Sequence, residues 1–255
     1  MAGLTPSVAR ATIERLEELG FNAWPALHTI LRDGWVLRFT DGFTKRANSA
    51  NPLHPGATPL PTLIADFEAA YASRGQRAIF RVTPLAPPSL DAELAKRGYI
   101  LLDESIVMLA PRIEARAPDP DFAVEDRPAP GWLAGYAAAS AIDAGALALM
   151  KAMLERIPPP AGFGSVSGTD GRPLAVGMAA VERGQVGLFD IVTAREARRR
   201  GLARHLVQGL LAWARTQGAT SAYLQVVAAN EPARRLYSGL GFVPAYGYHY
   251  RIAPV

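Results

Sequence analysis

Cysteine is absent from all 255 residues, which removes disulfides, thiolate metal sites and a cysteine nucleophile together. The four histidines, His28, His54, His205 and His249, are scattered and show no ligand spacing such as H-E-x-x-H, so no metal is expected. No apolar run approaches the roughly 18 to 20 residues that cross a bilayer, and no membrane partner is expected. The opening segment, MAGLTPSVARATIERLEELG, is patterned as an acidic amphipathic helix. It lacks the basic start and apolar centre of a signal peptide, so the expected location is cytoplasmic.

What is present suits a globular chain with a sizeable core: 49% of positions are hydrophobic and 20% charged. The length allows one large domain or two small ones. Net charge is +4 and the pI about 9.6, but much of the excess is local. Arg195, Arg198, Arg199, Arg200 and Arg204 fall together. A nucleic-acid surface spreads its basic residues and interleaves aromatics. One tight cluster suits a small anion such as a pyrophosphate, and no nucleic-acid partner is expected.

A proline-rich polar stretch, Ala110 to Pro120, separates two well-patterned halves. The expected organisation is a domain over 1–112, a linker over 113–120 and a second domain over 121–255. The halves share a pattern. Gly75 and Gly98 each close a helical segment ahead of a strand, and Gly218 and Gly241 do the same at a constant offset of 143 residues. At that offset Leu63 falls on Leu206, Phe80 on Tyr223 and Val107 on Tyr250. Glycines after helices are common, but this register over a long stretch points to a degenerate internal duplication.

Periodicity predicts, in the second half, a strand at 122–126, helices near 131–140 and 144–156, and strands near 163–167, 174–182 and 186–193. A long helix over about 201–217, a strand at 222–227, a short helix at 232–240 and a final strand pair over 242–252 follow. The first half reads as a helix at 8–19, strands near 26–31, 35–40 and 44–48, then helix, strand, helix and strand. The class is α/β with a mixed sheet.

Arg198-Arg199-Arg200-Gly201-Leu202-Ala203 directly follows a strand and opens a helix. A glycine there lets backbone N–H groups approach an anion, and the helix N-terminus adds unpaired donors and partial positive charge. Alone, such a run is a solvated basic turn. In its context, however, R-x-x-G-x-A resembles the acyl-CoA pyrophosphate loop of the GNAT superfamily of N-acetyltransferases. Asn230-Glu231-Pro232-Ala233-Arg234-Arg235-Leu236-Tyr237-Ser238-Gly239-Leu240-Gly241-Phe242 resembles that family's second signature, N-x-x-A-x-x-L-Y-x-x-x-G-F.

The resemblance covers about 122–252. It implies two GNAT-like domains in tandem, each a mixed, mostly antiparallel sheet flanked by helices. It also implies an N-acetyltransferase moving the acetyl group of acetyl-CoA to an amine, on a small molecule or peptide, in a ternary complex. Ile191, Val192 and Thr193 would pair with the pantetheine arm, one N–H polarising the thioester carbonyl. Arg198, Arg199, Arg200, Gly201, Leu202, Ala203 and Arg204 would cradle the pyrophosphate, with Asn230 and Ala233 also at the cofactor. Tyr237 falls on the general-acid position. Asp190, a charge within an apolar strand, is a candidate base, with Glu182 as another.

In the first half, Pro55, Thr58, Leu60, Pro87 and Leu94 stand where Arg198, Gly201, Ala203, Asn230 and Tyr237 recur, so its CoA motifs are missing. Trp24, Trp35 and the polar 44–49 segment are read as core or as one wall of an acceptor cleft. His54 is read as a loop residue, and His249 as structural or facing the acceptor. A non-catalytic acyl-CoA sensor is the alternative function; a monomer and a homodimer are both open.

Overall fold

The computed structural model describes residues 8–114 and 120–254. Most of the expected linker, 115–119, lies outside the described residues. The chain forms two compact units: one from the described residues of Met1–Val107, Val226–Asn230 and Pro244–Val255, the other from those of Met108–Gln225 and Glu231–Val243.

The first half supplies α1 (Arg10–Ala23), β1 (His28–Arg32), β2 (Trp35–Phe39), β3 (Ala50–Pro52), α2 (Leu60–Ala72), β4 (Ile79–Val82), α3 (Leu90–Lys96) and β5 (Ile100–Ala110). The second supplies β6 (Phe122–Glu125), α4 (Pro130–Ser140), α5 (Ala144–Leu154), β7 (Ala161–Ser167), β8 (Pro173–Glu182) and β9 (Gln185–Thr193). It continues with α6 (Leu202–Thr216), β10 (Ser221–Val227), α7 (Glu231–Ser238) and β11 (Val243–Ile252). In the first unit the strand order is β1-β2-β3-β4-β11-β5; in the second it is β10-β9-β8-β7-β6. Each sheet is mostly antiparallel with one parallel step: β3 beside β4 at Ala50–Phe80, and β9 beside β10 from Gln185–Ser221 to Leu188–Leu224.

The duplication is visible bond by bond. α2 ends where Gly75 takes φ 65° and Gln76 N–H donates to Tyr71 O (3.1 Å); α6 ends where Gly218 takes φ 86° and Ala219 N–H donates to Ala214 O (3.0 Å). α3 ends at Gly98 (φ 80°) with Tyr99 N–H to Leu94 O (3.0 Å), and α7 at Gly241 (φ 86°) with Phe242 N–H to Tyr237 O (3.1 Å). These are the same left-handed helix stop at matched positions, and a side chain there would strain the backbone. The 143-residue offset is therefore a record of four identical terminations.

Two expected elements differ. Residues 44–48 form no strand; a 3-10 turn spans Lys45–Ala47, and the third strand begins at Ala50. The buried Asn48 side chain is the reason. Its Oδ1 accepts from Thr40 N–H (2.7 Å) and Gly42 N–H (3.2 Å), and its Nδ2 donates to Phe43 O (2.6 Å) and Thr44 O (3.1 Å). One amide thus satisfies backbone groups that a ladder would otherwise need. The expected final strand pair is a single strand, β11.

Trp24 and Trp35 are both about 1% exposed. Trp35 meets Phe67 edge to face at 5.4 Å in a core that also holds Leu37, Ile64, Phe80 and Leu90. Packing is the role of Trp35.

α3 is held to β11 by charge. Arg251 Nε and Nη2 donate to the two oxygens of Asp91 (2.7 and 3.1 Å), and His249 Nε2 lies 2.7 Å from Asp91 Oδ1. This is the structural role weighed for His249. Arg251, aided by His249 and opposed by partial burial, holds the Asp91 carboxyl below its ordinary 3.8. A lowered folded-state pKa gives stability that is full above the unfolded value and fades as pH falls through the folded one. Asp91→Asn is expected to melt a few degrees below wild type at pH 7. That gap should hold down to about pH 4 and shrink below it, read from thermal melts across pH.

Candidate active site

The second unit's site starts at a defect in its central ladder. Met178 pairs with Phe189 and Val176 with Val192, so Asp190 and Ile191 together oppose Gly177. That is a β-bulge, and Asp190 takes φ 53° within it. Gly177 is what leaves room: a Cβ there would come within 2.5 Å of Ile191 Cδ1. The indole of Trp132 on α4 donates to Gly164 O (3.0 Å) and Gly177 O (3.1 Å), tying a buried ring to the carbonyl opposite the bulge. The parallel register with β10 stops at Leu188, so Phe189 to Thr193 lie beyond it, and Asp190 to Thr193 are partly exposed.

β9 then runs through a 3-10 turn, Arg195–Ala197, into α6. Gly201 sits at the N-cap with φ 81°, and no side chain caps the helix. The first helical bond runs from His205 N–H to Gly201 O (3.1 Å), so the N–H groups of Leu202, Ala203 and Arg204 face out of the helix end. A Cβ on Gly201 would meet nothing within 4 Å, so the approach is open. Arg198, Arg199 and Arg200 are exposed around it. The nearby carboxylate, Glu196, is engaged by Arg172 at 2.9 Å, which leaves the run strongly positive. The arrangement can hold a polyanion through backbone donors, with guanidinium groups around it.

The Arg204 side chain turns elsewhere, donating to Gly239 O (3.2 Å) and tying the first turn of α6 to the end of α7. On α7, Tyr237 is 8% exposed and packs edge to face on Phe242 at 6.0 Å. Burial pushes its phenol up to about 12. Ala233 is half-buried on the same helix, and Asn230 is exposed just before it, its N–H bonded to Val227 O (2.9 Å). Thus residues 190–193 and 198–204 share one strand–turn–helix segment, and Tyr237 lies on the helix stapled to it.

The bulge was missed by sequence reasoning. Its signal was Gly177, an isolated glycine inside a strand pattern. A groove of about 730 Å³ lined by Lys151, Glu155, Pro159, Trp213 and Gln217 lies at the other end of α6. Along the helix that is roughly 18 Å from the cradle, so it is no part of this site.

The first unit closes the matching place. Asp33 accepts N–H bonds from Ala57 (2.9 Å) and Thr58 (2.8 Å), directly ahead of α2, and those two bonds lead in lowering its pKa. Thr58 is the counterpart of Gly201. The helix there starts Leu60-Pro61, and proline brings no N–H. A side-chain carboxylate already takes the donors that an external anion would need.

The family described as "Probable histone acetyltransferase Rv0428c C-terminal" matches residues 10–251. The uncharacterized N-acetyltransferase YobR of Bacillus subtilis (strain 168) is 31% identical over 245 residues, covering 94% of this chain and 98% of YobR. A GCN5-related N-acetyltransferase from Kribbella flavida superposes with a TM-score of 0.67 at 18% identity, over 95% of both chains. A tandem GNAT protein from the clavulanic acid biosynthesis pathway gives a TM-score of 0.65 at 13% identity, over 94% of this chain and 88% of that one. At these identities the two structures speak for the fold.

β9 is braced from behind by close packing. A Cβ on Gly187 would come within 2.6 Å of both Phe189 and Tyr223, rings that are 3% and 2% exposed. Glycine is normally a weak strand residue, yet Gly187→Ala is expected to destabilise by about 1–3 kcal/mol, because neither buried ring has room to give way. A denaturant melt that found the variant more stable would contradict this packing.

Proposed function

We propose that this chain, which belongs to the GNAT acetyltransferases and to the family described as the probable histone acetyltransferase Rv0428c C-terminal, uses acetyl-CoA to acetylate an amine by direct attack in a ternary complex. The observation that carries the reading is the open, uncapped start of α6 immediately after a bulged strand. The residues suit a CoA diphosphate: Gly201 leaves space for close approach, and Leu202, Ala203 and Arg204 turn N–H groups toward it. Arg198, Arg199 and Arg200 add charge-assisted hydrogen bonds. Ile191, Val192 and Thr193, beyond the β10 register, have backbone groups for the pantetheine arm, and Asn230 and Ala233 complete the cofactor contacts.

A bound thioester supplies an activated acetyl group. In this reading a β9 N–H at the bulge stabilises the developing negative charge on its carbonyl oxygen, as a fixed dipole in a partly dry site. Asp190 takes a proton from the substrate ammonium, and the neutral amine so formed attacks the thioester carbonyl. Tyr237 supports departure of the sulfur. A phenol near 12 keeps its proton throughout the working range. Full transfer to a thiolate with a pKa around 8.5 is uphill by roughly 5 kcal/mol. Tyr237 therefore acts mainly as a hydrogen-bond donor to the sulfur. The acceptor class is an amine, on a small molecule or a peptide; the family's description adds histones to the acceptors to be screened.

Calorimetric titration of acetyl-CoA tests the cradle. Gly201→Glu, which places a carboxylate at the helix start, should weaken binding at least ~100-fold. Gly201→Asn, neutral and tolerant of the left-handed backbone, should cost less than ~10-fold. No binding by folded wild type would defeat the reading. Binding without CoA release across the amine screen would leave a sensor.

Tyr237→Phe should lower kcat by about 100-fold, the low end for acid–base groups, with little change in KM for acetyl-CoA. Because burial raises the Tyr237 pKa, its donor form persists to about pH 12. The alkaline limb of the wild-type rate profile should therefore survive unchanged in Tyr237→Phe. A limb that vanished with the hydroxyl would assign the titration to Tyr237 and overturn this role.

A further inference from the structure

The groove at the far end of α6 lies wholly within the second unit. At about 730 Å³ it has the size of a small-molecule site. Its floor is made of Leu154 and Phe163, both buried, and the partly exposed indole of Trp213. One wall is Pro158, Pro159 and Pro160, which follow α5. Proline fixes φ and brings no N–H. That wall is tied to β8 by Val181 N–H, which donates to Pro160 O (2.9 Å). The groove is therefore shaped by the fold before anything enters it.

Trp213 is set in it as a platform. A Cβ on Gly162 would stand 2.9, 2.9 and 3.0 Å from Cδ2, Cε2 and Cε3 of the indole, so the ring lies flat against β7 and glycine leaves it that room. Its other face is turned away from the strand. Phe163, the second aromatic of the lining, has no face to offer: it is 3% exposed and meets Trp132 edge to face at 5.3 Å. The Trp213 indole N–H makes no hydrogen bond among the described residues, whereas a tryptophan used for packing finds a partner. The scaffold does not ask for an indole here, because at the 143-residue offset the matched position on α2 is Ala70.

The rim carries both signs evenly, Asp126 and Glu155 against Arg127 and Lys151, and the Gln217 amide adds a donor and an acceptor. The Asp126 and Arg127 side chains form no ion pair or hydrogen bond among the described residues, and Lys151 reaches Glu155 only at 3.9 Å. A balanced rim favours neither an anion nor a cation. Interleaved donors and acceptors match hydroxyl groups, which do both. One exposed ring face matches a ligand with one apolar face. We propose that this groove binds a neutral sugar, its axial C–H face resting on Trp213 and its ring hydroxyls meeting Arg127, Asp126 and Gln217. The site is separate from the open start of α6 and takes a different class of ligand.

Saturation-transfer NMR on the full chain tests this, with the methyl β-glycosides of glucose, galactose and N-acetylglucosamine as probes. At least one should bind wild type at millimolar concentration, with saturation strongest on the ring protons of one face. Trp213→Phe, a smaller ring without the N–H, should weaken that binding at least ~5-fold. Arg127→Ala, at an exposed position, should weaken it at least ~3-fold. Gly201→Glu should leave the glycoside signal intact; its loss there would move the sugar to the start of α6 and overturn the inference. So would the absence of binding by wild type, or a signal that either folded variant leaves at full strength. Tighter binding of benzoate or benzylammonium than of any glycoside would give the groove to a charged ring instead, and would also overturn it. Arg127→Ala removes only a surface side chain, so it decides the matter even if Trp213→Phe does not fold.

Discussion

Two parallel neighbouring strands cannot be joined by a hairpin; the chain must return along the sheet, here as a helix. That constraint arises once in each unit, between β3 and β4 through α2 and between β9 and β10 through α6. It fixes where a helix begins: just past the end of a strand, with its first N–H groups unpaired. The second unit leaves that beginning uncapped. The first unit meets the same constraint and discharges it internally, with Asp33 across the Ala57 and Thr58 amides and a proline in the first turn. One geometry thus gives an open helix start in one unit and a closed loop in the other. The difference rests on a handful of side chains.

Much of this was legible because it depends on residues that have few substitutes. A left-handed helix stop favours glycine, so Gly75, Gly98, Gly218 and Gly241 kept the register of the duplication after most other identities had drifted. The turn ahead of α6 likewise favours a glycine, at Gly201, where φ is 81°. The bulge left only one faint mark in the sequence, Gly177, because its cause is a missing side chain on the partner strand. Gly177 makes room for Ile191, and no periodicity within β9 records that. The 44–48 segment was misread for a related reason. A polar segment forms a strand only if its backbone bonds go to a neighbour, and Asn48 supplies them locally instead.

The site itself divides along the same line. Arg198 to Arg204 could be placed from sequence because they are consecutive, and a consecutive set keeps its geometry through any packing detail. Tyr237 could be placed on a helix, but its chemistry could not, since that turns on burial. A phenol at its ordinary value near 10 is a serviceable acid toward a thiolate. One pushed to about 12 is a better-held donor and a worse acid. The sequence places the residue, and the packing sets how tightly its phenol holds the proton.

Arginine shows most clearly what solvent does to a shared chemistry. Arg198, Arg199 and Arg200 are exposed, so water satisfies their donors when no anion is present. Arg81 has no such reserve. Its Nη1 is met by Glu17 and its ring face by Tyr248, but the remaining edge has given up water without a partner from the described chain. A site of the first kind costs the fold little and gains affinity from several weak contributions. A guanidinium of the second kind costs the fold stability for each buried donor it leaves unpaired. The fold accommodates hydrocarbon at the matched position, Leu224, so the buried guanidinium belongs to this unit's own packing and is not a demand of the shared sheet.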